Sequence, residues 1–214
     1  MQLVLLGTEL SLKRMIVAAL FDRSPWAVWQ NLTQNKGSRK SRNALREKLI
    51  PAMKRPYAFS EEETRSLSNF IASISGKLRA YIAFHSYSQI LLFPYGHTSE
   101  HTPNHDDLND IAKATVQSLA KRYGTKYTYG NIYDAIYPAS GASCDWAYGT
   151  LDIKIAYTYE LRPNKNSWNG FVLAPRYIIP TGEETLDSLV TMIEESERRG
   201  YYQNLRTQVD SISH

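Results

Sequence analysis

Apolar and polar positions change rhythm several times along this chain, and each rhythm predicts an element. From Phe59 the run FSEEETRSLSNFIAS brings Leu67, Phe70, Ile71 and Ile74 round at helical intervals, with Ser60 and Glu63 at capping-box spacing and Gly76 as the stop. RAYIAFHS reads as a buried strand that delivers polar side chains to its C-terminal edge, and ILLFPYG as a second apolar run ended by Pro94 and Gly96. DDLNDIAKATVQSLAKRYG places Leu108, Ile111, Ala112, Thr115, Val116 and Leu119 on one helical face, with acids early and bases late as the helix dipole prefers. IKIAYTYELR is a further strand. Thr181 with Glu184 is expected to cap a last helix carrying Leu186, Leu189, Val190 and Ile193. Helices alternating with buried strands predict a layered α/β domain.

Charge divides the chain. The net charge is +4 over 214 residues. Residues 1–55 hold eleven basic against three acidic residues, net +8, while the remainder holds fourteen against eighteen, net −4. Three segments are therefore expected: a basic one over 1–55, poorly ordered or helical, an α/β domain over 56–202, and a tail over 203–214. The run NKGSRKSRNALREK reads either as a solvated arm or as a patch for nucleic acid or another polyanion, and no aromatic interleaving accompanies it. No window approaches the roughly 18 apolar residues of a membrane span. The N-terminus offers two short apolar runs split by Glu9, Lys13 and Arg14, without a persuasive cleavage site. Cys144 is the single cysteine, so no intrachain disulfide can form, and Asn31-Leu32-Thr33 is a glycosylation sequon that matters only in a secreted chain.

Candidate chemistry centres on the histidines. His97 to His101, HTSEH, spells the H-x-x-E-H pattern of one class of zinc peptidases, which needs both imidazoles on one face of a regular helix. The span lies between Tyr95-Gly96 and Pro103, where a sustained helix is not expected, so these histidines are read as loop residues. His105 and His214 are read as exposed. His85 stands where a strand meets its loop; by itself it is either a hydrogen-bonded structural residue or a ligand.

Four blocks in order, FHSYSQILLFPYG, IYPASGASCDWAYG, YTYELR and GFVLAPRYIIPTGEETL, resemble the zinc metallocarboxypeptidases of the pancreatic carboxypeptidase A and B type, from about Pro56 to about Tyr202. The resemblance implies the C-terminal half of that family's mixed-sheet domain flanked by helices, preceded by a basic segment unlike the family. It implies one Zn²⁺ as cofactor, peptide or protein C-termini as substrate and an extracellular location. His85 then corresponds to the third zinc ligand, bound as a neutral imidazole. Ser86 and Tyr87 correspond to substrate-contacting neighbours, Tyr137 to the mobile tyrosine that closes over the terminal carboxylate, and Glu160 to the general base. Zinc lowers the pKa of its bound water toward about 7, and a carboxylate there can take the proton and return it to the leaving amine. Without a metal Glu160 reads as a strand acid paired with Arg162. Leu92, Ile132, Ile136, Ala139, Cys144 and Thr158 correspond to the pocket for the C-terminal side chain, and a small apolar residue at Cys144 favours an apolar or aromatic one.

The departures from the family pattern are equally definite. The family's first two ligands arrive as an upstream H-x-x-E, followed by a substrate-binding arginine and an Asn-Arg pair, yet no histidine precedes His85. Arg42-Asn43 lacks the family's flanks and is not taken as that pair. About half of the usual domain is missing, so an exposed sheet edge is expected. Three functions follow: a zinc carboxypeptidase by descent, truncated and impaired; a non-catalytic module binding peptide C-termini; and a polyanion-binding arm on a passive scaffold. No membrane partner is expected.

Overall fold

The computed structural model describes residues 58–202 together with Leu5–Leu6 and Met15–Val17. Expectations for the remainder of the basic segment and for His214 lie outside the described residues. By compactness the chain divides into two units, Met1 with Leu20–Ser73 and Gln2–Ala19 with Ile74–His214. Helix α1 (Glu62–Ile74) lies almost wholly in the first. Its Ile71 is buried but Phe70 is exposed, and the Ser60 hydroxyl donates to the neighbouring Glu61 carboxylate, so the expected Ser60–Glu63 capping box is replaced by a local contact. A 3₁₀ turn at Ser75–Lys77 carries the chain past Gly76.

The second unit is built on a mixed sheet. Its strands are β1 (Leu5–Leu6), β2 (Met15–Val17), β3 (Ala80–Ser88), β4 (Ile90–Phe93), β5 (Thr128–Asn131) and β6 (Ile155–Asn164), in spatial order β1-β2-β3-β6-β4-β5. β3 and β6 run parallel, β4 runs antiparallel to β6, and β5 parallel to β4. Ile155 to Glu160 are all buried, as expected of a central strand covered on both faces. β2 lies beside β3, pairing Met15 with Ala80 and Val17 with Ile82 in parallel, so among the described residues β1 forms the edge strand on that side of the sheet.

Helix α2 (His105–Tyr123) buries the six positions its periodicity marks: Leu108, Ile111, Ala112, Thr115, Val116 and Leu119. It ends at Gly124, whose φ of 70° lies in the left-handed region open to glycine and whose N–H bonds the Ala120 carbonyl. The last helix, α5 (Ile178–Arg198), starts three residues before Thr181 and so is not capped there. The Thr181 hydroxyl bonds back to the Tyr177 carbonyl, and Glu184 is fully buried within the helix. Leu189 and Met192 face the core, whereas Leu186 and Val190 are exposed. Between these come α3 (Ile132–Ala135) and α4 (Ser143–Gly149), two short helices in stretches that periodicity leaves as loop. Cis peptide bonds occur at Ser86–Tyr87, Pro94–Tyr95 and Arg162–Pro163.

Polar side chains tie the helices to the sheet. Tyr157 donates its phenol to the Leu108 carbonyl and Tyr159 shares a hydrogen bond of 2.9 Å with Ser188, so two fully buried tyrosines of β6 are satisfied by α2 and α5. Arg162 takes Glu184 through Nε to Oε1 at 2.7 Å, and Thr125 donates to the same carboxylate at 2.6 Å. The pairing expected between Arg162 and Glu160 is thus replaced by one with Glu184 of α5. Removing one member of a buried pair strands the other charge. Arg162→Leu is expected to cost about 3–5 kcal/mol in urea unfolding, whereas Asp187→Asn, which alters the part-exposed pair of α5 with Arg122, is expected to leave the unfolding midpoint nearly unchanged.

Candidate functional site

Residues two apart on a strand share a face, so Thr158 and Glu160 lie together on the side of β6 away from Tyr157 and Tyr159. The β3–β6 ladder sets His85 directly opposite Glu160. Its register shifts between Ser86 and Ser88, leaving Tyr87 outside the pairing. The His85 Nδ1 and Glu160 Oε1 atoms are 3.9 Å apart, beyond hydrogen-bond length. Burial is therefore not offset by a mutual bond. Both groups respond by staying neutral: burial lowers the His85 pKa and pushes Glu160 up to about 8. His85 Nε2 and Glu160 Oε2 are buried without a hydrogen-bond partner. Orphaned lone pairs in a dry site are what a cation would satisfy.

The remaining expected residues are buried to different degrees. Ser86 is half-buried on β3, and Tyr87 is buried with its ring edge-to-face on Phe171 at 5.0 Å. Tyr137 is half-buried in the segment between α3 and α4. Of the expected pocket residues, Leu92, Ile132, Cys144 and Thr158 are buried, while Ile136 and Ala139 are half-buried. Leu92 and Thr158 are ladder partners across β4 and β6, and the Cys144 thiol donates to the Asp145 carboxylate at 3.9 Å. Burial, the largest effect, pushes that thiol up to about 12, so it packs as a protonated apolar group.

The H-x-x-E-H stretch lies in irregular backbone, as expected, and among the described residues no group of three or more His, Cys, Asp or Glu side chains is arranged to hold a metal. His97 instead binds Asp145 through Nδ1 at 2.8 Å. His105 is half-buried rather than exposed: it stacks on His101 with ring centroids 3.7 Å apart, and burial lowers its pKa.

Asp145 is the residue that sequence reasoning passed over. Its carboxylate accepts the backbone N–H groups of Gly96, at 2.9 Å to Oδ2, and His97, at 3.2 Å. The Gly96 carbonyl in turn accepts the Ala139 N–H at 2.7 Å. A Cβ at Gly96 would stand 2.7 Å from Ile132 Cγ2 and 2.9 Å from the Ala139 carbonyl oxygen, so glycine is required for the close approach. These contacts lock the turn after β4 to the segment that carries Tyr137. The signal in the sequence was an acid in the first turn of a short helix, ASCDW, too common to single out.

Comparison with known proteins places these features in context. The family described as zinc carboxypeptidase matches residues 29–188, beginning upstream of Pro56. Zinc carboxypeptidase A 1 of Anopheles gambiae is 74% identical over 145 residues, covering 68% of this chain and 34% of that protein. Zinc carboxypeptidase of Simulium vittatum is 67% identical over 145 residues, covering 68% and 47%. Among solved structures, bovine thrombin-activatable fibrinolysis inhibitor in complex with tick carboxypeptidase inhibitor aligns with TM-score 0.63 at 32% identity, over 67% of this chain and 48% of that one. Carboxypeptidase A from Helicoverpa armigera aligns with TM-score 0.61 at 27% identity, over 68% and 36%. The chain thus spans less than half the length of each.

Glu160 makes the site's electrostatics measurable. Its folded pKa of about 8 exceeds its ordinary value of 4.5, so the folded state holds a proton that the unfolded state has released. Stability therefore falls as pH rises from about 4.5 to 8 and changes no further above that. In metal-free buffer Glu160→Gln is expected to be more stable than the parent by about 1–3 kcal/mol at pH 8 and equal to it at pH 4.5, read by thermal melts across that range.

Proposed function

As this chain belongs to the zinc carboxypeptidase family, we propose that its site is a metallocarboxypeptidase site for the C-terminal residue of peptides, and that the chain as it stands is impaired as a hydrolase. The observation that carries this reading is the His85–Glu160 juxtaposition: a half-buried imidazole and a buried carboxylate 3.9 Å apart, each with an orphaned buried polar atom. His85 is the metal ligand, Glu160 the general base, and Tyr137 the group that reaches the terminal carboxylate. Ser86 and Tyr87 line the approach. Leu92, Ile132, Ile136, Ala139, Cys144 and Thr158 form the pocket for an apolar or aromatic terminal side chain, because none of them brings a charge that would pair with a basic one.

The donor set does not match a zinc site. A catalytic zinc takes three protein ligands. His85 supplies one, no histidine precedes it, and among the described residues it belongs to no group of three or more His, Cys, Asp or Glu side chains arranged around a metal. The orphaned atoms fit a cation, but the number of donors does not, and a single imidazole holds zinc weakly. What this chain's own residues retain is the buried acid, the adjacent imidazole and the pocket, an arrangement that favours recognition of a peptide end over its cleavage.

Two measurements separate these functions. With zinc supplied, purified chain is expected to release little or no Phe or Leu from peptides ending in those residues; robust turnover lost in Glu160→Gln would show that the missing donors are replaced. Calorimetry should show tighter binding of a Phe-terminated peptide than of its C-terminal amide, and equal affinities would remove the recognition reading.

A further inference from the structure

Beside the Asp145 clamp, the turn after β4 and α4 border an open cleft of about 530 Å³. Tyr95 and Trp146, both half-buried, line it, with Glu100, Thr98, Thr150 and the backbone of Gly141. No lysine or arginine lines it. The Asp145 carboxylate is already taken by two backbone N–H groups and the His97 ring. Glu100 is different, since its exposed carboxylate has no cationic partner among the described residues. Two aromatic rings and an unneutralised carboxylate around one space are complementary to an organic cation. The same aromatic cluster already shows this affinity: Tyr148, in edge-to-face contact with Tyr95, carries the Lys154 ammonium 5.1 Å from its ring centroid.

We propose that the cleft between Tyr95, Glu100 and Trp146 is a second binding site, distinct from the His85–Glu160 site, that takes the guanidinium or ammonium group of a basic side chain. Glu100 supplies the charge contact, and Tyr95 and Trp146 the apolar and cation–π surface. The site needs neither zinc nor a free C-terminus, so it stands or falls separately from the peptidase reading. It also borders the segment that follows Tyr137, through Gly141 and through the Gly96–Ala139 hydrogen bond, which puts its occupant against a wall shared with the expected catalytic loop.

Nα-acetyl-arginine amide is a suitable probe because its carboxylate is blocked, with the neutral Nα-acetyl-citrulline amide as its isostere. Titrated into ¹⁵N-labelled, zinc-free chain at pH 8, the arginine probe is expected to give saturable shifts at the Gly141, Gly149 and Thr150 amides and the Trp146 indole. Citrulline is expected to give none at equal concentration. Glu100→Gln, a change at an exposed side chain, should weaken binding by about 3- to 10-fold, and raising NaCl to ~0.5 M should weaken the parent similarly. Equal shifts with citrulline, unchanged affinity in Glu100→Gln, shifts confined to residues outside the cleft, or no saturable shift at all would each overturn the assignment.

Discussion

The parallel pairing of β3 with β6 is the constraint from which the rest of the site follows. It sets His85 opposite Glu160 in a ladder whose flanking residues, from Ala80 to Ala83 and from Ile155 to Tyr159, are buried. Because this ladder is dry, neither group can hold its charge cheaply, and the imidazole and the acid both stay neutral. The same burial that stabilises the sheet thus creates a local electrostatic demand for a cation. Position and demand come from one interaction.

A second layer of contacts carries that geometry outward. Asp145 on α4 gathers the backbone of Gly96 and His97, and Gly96 gathers Ala139, so the turn after β4, the Tyr137 segment and the start of α4 are held as one assembly. Towards its C-terminal end, β6 is bound to α5 by Arg162, Glu184 and Thr125. The alternation of β6 separates two faces: odd-numbered Tyr157 and Tyr159 bond the helices, while even-numbered Thr158 and Glu160 lie on the side of the candidate site.

Membership of the zinc carboxypeptidase family rests on the comparisons, and the reading of the site as an impaired one is the proposal made above. The fold agrees with that of solved carboxypeptidases. The ligand set does not, since His85 is the first histidine in the sequence. The basic N-terminal half of the charge asymmetry also resists a simple division, because the family match begins at residue 29, within it. What remains at the site suits holding a peptide end. What surrounds Glu100 suits holding a cation.

Much of this was legible from residue order. Helical spacing alone marked all six buried positions of α2, and the apolar runs located β3, β4 and β6, because burial in those elements follows local periodicity. The short elements β5, α3 and α4 were not legible, being too brief to show a period. Thr181 and Glu184 carried the spacing of a cap yet lie inside α5, where the carboxylate serves Arg162. The sequence by itself determined which side chains stand at the strand ends and which helix faces are apolar. Only the tertiary structure decided that Glu160 faces His85 rather than Arg162, that Asp145 closes on Gly96, and that Glu100 stands beside Trp146. Those outcomes depend on which face of a strand or turn is buried against which neighbour, and that is set by contacts between residues far apart in the chain.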